Sequence, residues 1–172
     1  GTMLTDVEIE DGVKSIGNGL FSSCSKLKTI TIPSTVETIG ESAFANCSLL
    51  ETVELKEGLL NIGEDTFSYC KSLKTITIPS TVTTIENNCF YGCSLLENIQ
   101  VDSNNTNYRS INGILFRKDM KTLVKYPNGK QETNYTIPEN VISINDYAFE
   151  GNENLIYEIN EFTERRDKYK IL

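Results

Sequence analysis

A β-rich solenoid is the fold class this 172-residue sequence predicts: an α/β repeat superhelix with a parallel sheet along one face, short helical turns opposite, and an inserted β-meander. Two observations predict it. Leu73–Val82 repeats Leu27–Val36 letter for letter, 46 residues later, with a looser copy between them, so the basic period is 23. A fixed period of that length is the signature of stacked repeats. Within each period, apolar residues also recur in columns. Phe21, Phe44, Phe67 and Phe90 form one, Cys24, Cys47, Cys70 and Cys93 another, and Ile16, Ile39, Ile62 and Ile85 a third. Leu4 to Leu96, Val7 to Ile99, Ile9 to Val101 and Val13 to Val82 form four more at the same spacing. One repeat cannot bury so apolar a face alone, whereas stacked coils bury it against each other.

Each element follows from its local pattern. Ile30-Thr31-Ile32 alternates apolar and polar, which predicts a strand with one face buried. Pro33 ends it, because proline has no N–H for a ladder. The segment from Gly40 to Ala45 reads as one or two helical turns, with Gly17, Gly40 and Gly63 at the cap position and acidic residues in the first turn. Ala43, Thr66, Cys89 and Ala148 define a column that takes small residues.

The spacing breaks once. Phe90 to Phe149 and Ile85 to Ile144 each span 59 residues, so 36 extra residues lie between Val101 and Ile137. They open as a polar loop at 102–107. Ile111-Asn112-Gly113-Ile114 then carries a hairpin-turn signal, followed by strand-like Ile114–Phe116 and Thr122–Tyr126. The expected organisation is a single solenoid domain over 4–172, of about seven coils, with 102–134 an inserted β-meander. The charged segment 157–172 is a terminal cap or tail.

Composition narrows the function. The net charge of −8 and the pI of about 4.7 argue against a nucleic-acid or anionic-membrane partner. No apolar run approaches a membrane span. No leader is read in the sequence. Gly1 to Met3 reads as an appended stub, and Leu4 already sits in the leucine column, so the chain is expected to open inside a repeat. Histidine is absent, which removes a nucleophile–histidine pair and a mixed Cys/His zinc site. The cysteines, stacked in parallel, read as buried apolar filler rather than disulfides. Asp102, Asn104 and Thr106 lack the glycine and glutamate of a calcium loop. No cofactor and no metal are expected.

The unit I-x-x-x-A-F-x-x-C-x-x-L-x-x-I-x-I-P stands here as Ile39, Ala43, Phe44, Cys47, Leu50, Val53 and Leu55, with the proline at Pro33, Pro79 and Pro138. It resembles the leucine-rich repeats of the BspA-like surface-protein family. The resemblance covers residues 4 to about 156. It implies a right-handed leucine-rich-repeat solenoid, and a secreted or cell-surface protein that contacts host or neighbouring-cell proteins. It implies no enzyme and no catalytic residue. Gly113, Leu115, Phe116, Leu123, Tyr126 and Pro127 match a further element of that family. Lys56 and Asp102 depart from the proline, and Glu86 and Asn145 from the glycine; both changes are expected to loosen turns.

Two candidate partner-binding surfaces follow. The inserted meander carries Tyr108, Arg109, Phe116, Arg117 and Tyr126, residue types that anchor interfaces. It reads either as a protruding ridge with exposed aromatics or as a divergent coil. The regular sheet presents Lys28, Glu51, Lys74 and Glu97 in alternating sign on successive coils, worth about 0.2 to 1 kcal/mol per adjacent pair. That ladder reads either as a solubilising register device or as a weak protein-binding face. The functional expectation is a non-enzymatic, adhesion-type interaction module binding a surface or matrix protein. A structural spacer of a larger surface protein is the alternative. A glycan-binding module leaning on Tyr108, Tyr126 and Tyr135 is a third option.

Overall fold

The computed structural model describes residues 4–152 and 155–158. In chain order the strands are β1 (Ser15–Ile16), β2 (Thr29–Ile32), β3 (Thr38–Ile39), β4 (Thr52–Leu55), β5 (Asn61–Ile62), β6 (Thr75–Ile78) and β7 (Thr84–Ile85). There follow β8 (Asn98–Val101), β9 (Tyr108–Ile111), β10 (Ile114–Arg117), β11 (Thr122–Lys125), β12 (Asn134–Thr136), β13 (Ser143–Ile144) and β14 (Ile156–Glu158). The terminal segment expected as a cap or tail lies outside the described residues beyond Glu158.

Each regular turn carries two parallel strands rather than one. The short strands stack as β1-β3-β5-β7, with Ser15 beside Thr38 and Ile16 beside Ile39. The long strands pair as β2-β4 and β6-β8, in a 23-residue register such as Ile30 to Val53 and Ile76 to Ile99. β4 lies against β6, but no ladder joins them. The proline column explains the break. Lys56 N–H donates to Ile32 O at 3.1 Å and Asp102 N–H to Ile78 O at 2.9 Å, closing the two pairs. Pro79, in the same column, has no N–H to give. The residues expected to loosen turns thus close the ladders, and their alternation with proline matches the 46-residue super-repeat.

No helix forms among the described residues, so the expected helical turns are corrected. Alternate amides in the segment point to the next coil instead of back along their own chain. Ser42, Phe44 and Asn46 N–H donate to Glu64, Thr66 and Ser68 O at 2.8 to 2.9 Å. The residues between them close four-residue turns, such as Ala45 N–H to Ser42 O at 3.1 Å. Ser42 and Asn46 take φ of 54° and 62°, and each sits in a left-handed column: Gly19, Ser42, Asp65, Asn88 and Tyr147, and Ser23, Asn46, Tyr69, Gly92 and Gly151. Two left-handed residues within five are incompatible with a right-handed helix. Gly40 is not a cap either. A Cβ there would fall 2.7 Å from Asn18 N in the preceding coil, so it serves close coil approach.

The columns fill the core. Phe21, Phe44, Phe67 and Phe90 stack at centroid separations of 5.2, 5.6 and 6.1 Å. No disulfide joins the cysteines, which are all buried. The column is more than apolar filler. Cys47, Cys70 and Cys93 Sγ donate to Phe21, Phe44 and Phe67 O, each 26 residues back, at 3.1 to 3.3 Å. Asn152, which replaces cysteine in the last turn, sends its side-chain amide to Phe149 O at 3.1 Å and to Tyr126 O, 26 residues back, at 3.5 Å.

The extra residues form a three-stranded antiparallel arrangement, β9-β10-β11, whose β11 pairs in parallel with β13 of the next turn. Asn112 and Gly113, at φ 51° and 80°, make the tight turn of its first hairpin. Asn105 anchors the departing chain in the column of Val82. Its Nδ2 donates to Pro79 and Val82 O, and its Oδ1 accepts from Asn107 and Tyr108 N–H, so all four bonding positions of a fully buried amide are used. The buried apolar residues fall into two clusters. The larger spans the first four turns and ends on Tyr108 and Leu115. The smaller holds Phe116, Leu123, Tyr126, Ile137, Val141 and Ala148.

Candidate interaction surfaces

The anchors expected on the meander are core residues. Tyr108, Phe116 and Tyr126 are fully buried. Tyr108 occupies the isoleucine column, 23 residues after Ile85, and its hydroxyl accepts the Ile85 N–H at 2.8 Å. It ends the short-strand sheet by supplying a phenol oxygen in place of another strand. Tyr126 occupies the phenylalanine column and stacks on Phe149 at 5.4 Å. Arg117 lies over the Tyr108 ring at 4.6 Å and is half-buried, while Arg109 is exposed. No ridge of exposed aromatics is formed. Tyr135 packs against Tyr126 and Phe149, so the tyrosines of the glycan reading face inward.

The ladder Lys28, Glu51, Lys74 and Glu97 is exposed, on adjacent coils. Glu51 N–H donates to Lys28 O at 2.8 Å and Glu97 N–H to Lys74 O at 2.9 Å. Their side chains form no ion pair among the described residues. The ion pair between coils runs instead from Lys14 to Glu37, at 3.3 Å and well exposed at both ends. Thr31 to Glu54 and Thr77 to Gln100 add exposed cross-coil hydrogen bonds at 3.2 Å. Among the described residues this face has register chemistry and no aromatic anchor.

Aromatic anchors stand on the turn face. Tyr69 and Tyr91 meet edge-on at 5.2 Å, and Tyr91 and Tyr147 at 5.7 Å. Tyr69 is 40% exposed and Tyr147 54%. Both are left-handed, at φ 58° and 57°, in columns that otherwise hold glycine, serine, asparagine or aspartate. A bulky side chain there costs about 1 to 2 kcal/mol of backbone strain. Gly92 clears the ground for Tyr69, since a Cβ there would lie 2.6 Å from the Tyr69 ring. The Glu150 carboxylate beside Tyr91 pushes its phenol pKa up.

This row borders the seam where the stack changes register. The inter-coil bonds of the turn face run through Asp65, Phe67 and Tyr69 to Asn87, Cys89 and Tyr91. Beyond them lies a cleft of about 30 Å³, room for a water molecule, lined by Ile85 to Tyr91, Val124, Lys125 and Asn145 to Tyr147. Lys125 fills the small-residue column between Cys89 and Ala148. Its ammonium is buried, donating to Tyr147 O at 3.1 Å and Glu150 O at 3.5 Å, and burial pushes its pKa down to about 8. Sequence reasoning missed this face. The signal was available in the columns, where Tyr69 and Tyr147 replace residues suited to a left-handed turn.

No helix among the described residues is long and apolar enough to cross a membrane. Nor do three or more Cys, Asp or Glu side chains converge there to hold a metal ion. No curated protein matches the sequence. Solved structures do. The chain is similar to the pneumococcal vaccine antigen PcpA (TM-score 0.84, 29% identity, 89% of this chain and 39% of that one). It is also similar to a leucine-rich repeat protein from Eubacterium ventriosum (TM-score 0.71, 33% identity, 87% and 46%). A third is a leucine rich cell surface protein from Faecalibacterium prausnitzii (TM-score 0.63, 30% identity, 83% and 44%). The chain therefore spans less than half the length of each of these relatives. The family model for the BspA type leucine rich repeat region matches residues 1–121 and 126–164 in six copies. With a match over most of its length and a stack of 23-residue turns built on its columns, the chain belongs to the BspA type leucine-rich repeat family.

Proposed function

We propose that this chain is a non-enzymatic protein-interaction module, of adhesion type, in a secreted or cell-surface protein. The observation that carries the reading is the row Tyr69, Tyr91 and Tyr147, half-buried at Tyr91 and exposed at its two ends. Tyrosine is enriched in binding hot spots because it offers a large apolar ring with a polar tip. A spacer has no use for two strained, solvent-facing tyrosines. Support for the location comes from the relatives, one described as a cell surface protein and another as a vaccine antigen.

The test immobilises the chain and titrates purified extracellular-matrix and cell-surface proteins over it. Saturable binding of at least one, weakened tenfold or more by Tyr69→Ala with Tyr147→Ala, is expected. Absence of binding across the panel leaves the structural-spacer alternative in possession.

A further inference from the structure

We propose that the row Tyr69, Tyr91 and Tyr147, with the carboxylates around it, docks an arginine- and lysine-rich segment of a partner protein; this rests on the interaction-module reading. The tyrosines do not stand on a neutral surface. Glu64 and Asp65 lie on the same turn as Tyr69, Glu86 on that of Tyr91, and Asp146 and Glu150 on that of Tyr147. Glu86, Tyr91, Asp146 and Tyr147 line one cleft. Burial and the neighbouring Glu41 carboxylate push the Asp65 pKa up, as expected where acids crowd. Against these stand the exposed Lys71 and the buried Lys125.

The unmet bonding capacity has the same sign. Asn88 Oδ1 is a shielded acceptor that meets no donor among the described residues, and the Glu150 carboxylate, engaged by the Tyr91 hydroxyl, can only accept. The surface thus offers π faces, carboxylates and spare acceptors. A guanidinium supplies the complement: five N–H donors, no acceptor, a permanent charge, and a plane that stacks on aromatic rings. Each cation over an exposed tyrosine face gains little on its own, so several must act together to give useful affinity. The row provides that repetition, because its rings lie 5.2 and 5.7 Å apart, from two successive turns and across the seam to the turn of Tyr147.

The probe is a twelve-residue arginine–glycine repeat peptide. A glutamate–glycine peptide of equal length and an oligomer of N-acetylglucosamine serve as comparisons, all by titration calorimetry at low and physiological salt. The arginine peptide alone is expected to bind, with Kd rising at least tenfold in the Tyr69→Ala/Tyr147→Ala double variant and in Asp146→Lys. Glu97→Gln, on the long-strand face, should leave it within twofold. Circular dichroism confirms that each variant is folded. If the double variant and Asp146→Lys bind as the wild type does, the attraction is only to the net charge and the inference falls. It falls equally if the saccharide binds and the peptide does not. Should the protein panel yield a partner that the double variant binds unchanged, the inference fails while the module reading stands. An empty panel sinks the module reading itself.

Discussion

Two residues carry most of what can be checked one at a time. Phe67 is fully buried, with Phe44 at 5.6 Å on one side and Phe90 at 6.1 Å on the other. Phe67→Ala is expected to cost about 3 to 5 kcal/mol, because neighbours fixed by the coil ladders cannot collapse into the space. Urea unfolding measures it, and a loss under 1 kcal/mol would show a core far looser than the columns imply. Lys125 is the opposite case, a charge placed where the other turns hold Ala43, Thr66, Cys89 and Ala148. Burial lowers its pKa from 10.5 to about 8. The unfolded chain keeps that proton to about pH 10.5, so between about 8 and 10.5 the unfolded state binds more protons, and stability rises with pH. Below about pH 8 both states are charged and the desolvation penalty, about 3 kcal/mol for such a shift, is present in full. Lys125→Met is therefore expected to raise Tm at pH 7, with its advantage shrinking toward pH 10.5. An advantage constant across that window would mean the ammonium is not the source.

At the scale of elements, the inserted segment behaves as part of the stack. β11 pairs with β13, and Phe116, Leu123 and Tyr126 belong to the second core cluster. Replacing Asn112–Lys125 by a short glycine link is thus expected to unfold residues 126–152 while the first four turns survive, since stability in a stack is mainly nearest-neighbour. Hydrogen exchange reads this directly, and full protection of Ile137 and Val141 in the deletion would contradict it. The columns made much of this legible. The phenylalanine, cysteine and isoleucine columns are buried where the 23-residue spacing puts them, apart from the half-buried Phe21. The same spacing placed Tyr108 in the isoleucine column and Tyr126 in the phenylalanine column. Carrying it across the break exposes the conflict between reading them as anchors and reading them as core. The turn over Gly40–Ala45 was not legible in the same way. Glycine, acids and small residues suit a helix start, and what forbids the helix is the row of carbonyls on the next coil, which one repeat does not contain.

The whole molecule is a stack with one seam. The larger cluster unites four turns, and the smaller holds the rest of the described chain. Their unequal size predicts two opening energies rather than one. Native-state hydrogen exchange should find the amides of Phe67, Cys70 and Leu73 opening near the global limit, and those of Leu123, Tyr126 and Val141 opening more cheaply. A single shared opening energy would mean the seam transmits cooperativity as fully as a regular coil junction. The tyrosine row also belongs to this scale. Its members come from the third, fourth and last of these turns, so no single repeat encodes it, and only the distance across the seam brings Tyr91 to Tyr147.

That seam has a mechanical side. A protein tethered at a cell surface and gripped by a partner is pulled along its length. Within the β2-β4 and β6-β8 pairs such a load spreads over two rows of strand bonds and the turn-face bonds, which share it in parallel; between β4 and β6 the short-strand row and the turn-face bonds carry it. At the seam, Tyr108 holds Ile85 through a phenol, Asn105 holds Pro79 and Val82 through one side-chain amide, Ile99 N–H donates to Gly113 O at 2.9 Å, and Gly129 N–H donates to Leu96 O at 2.7 Å. Fewer bonds in parallel make this junction the mechanical fuse of the chain. Stretching it there would separate Tyr91 from Tyr147 before any repeat came undone, so tension alone would dismantle the proposed docking row and release what it holds.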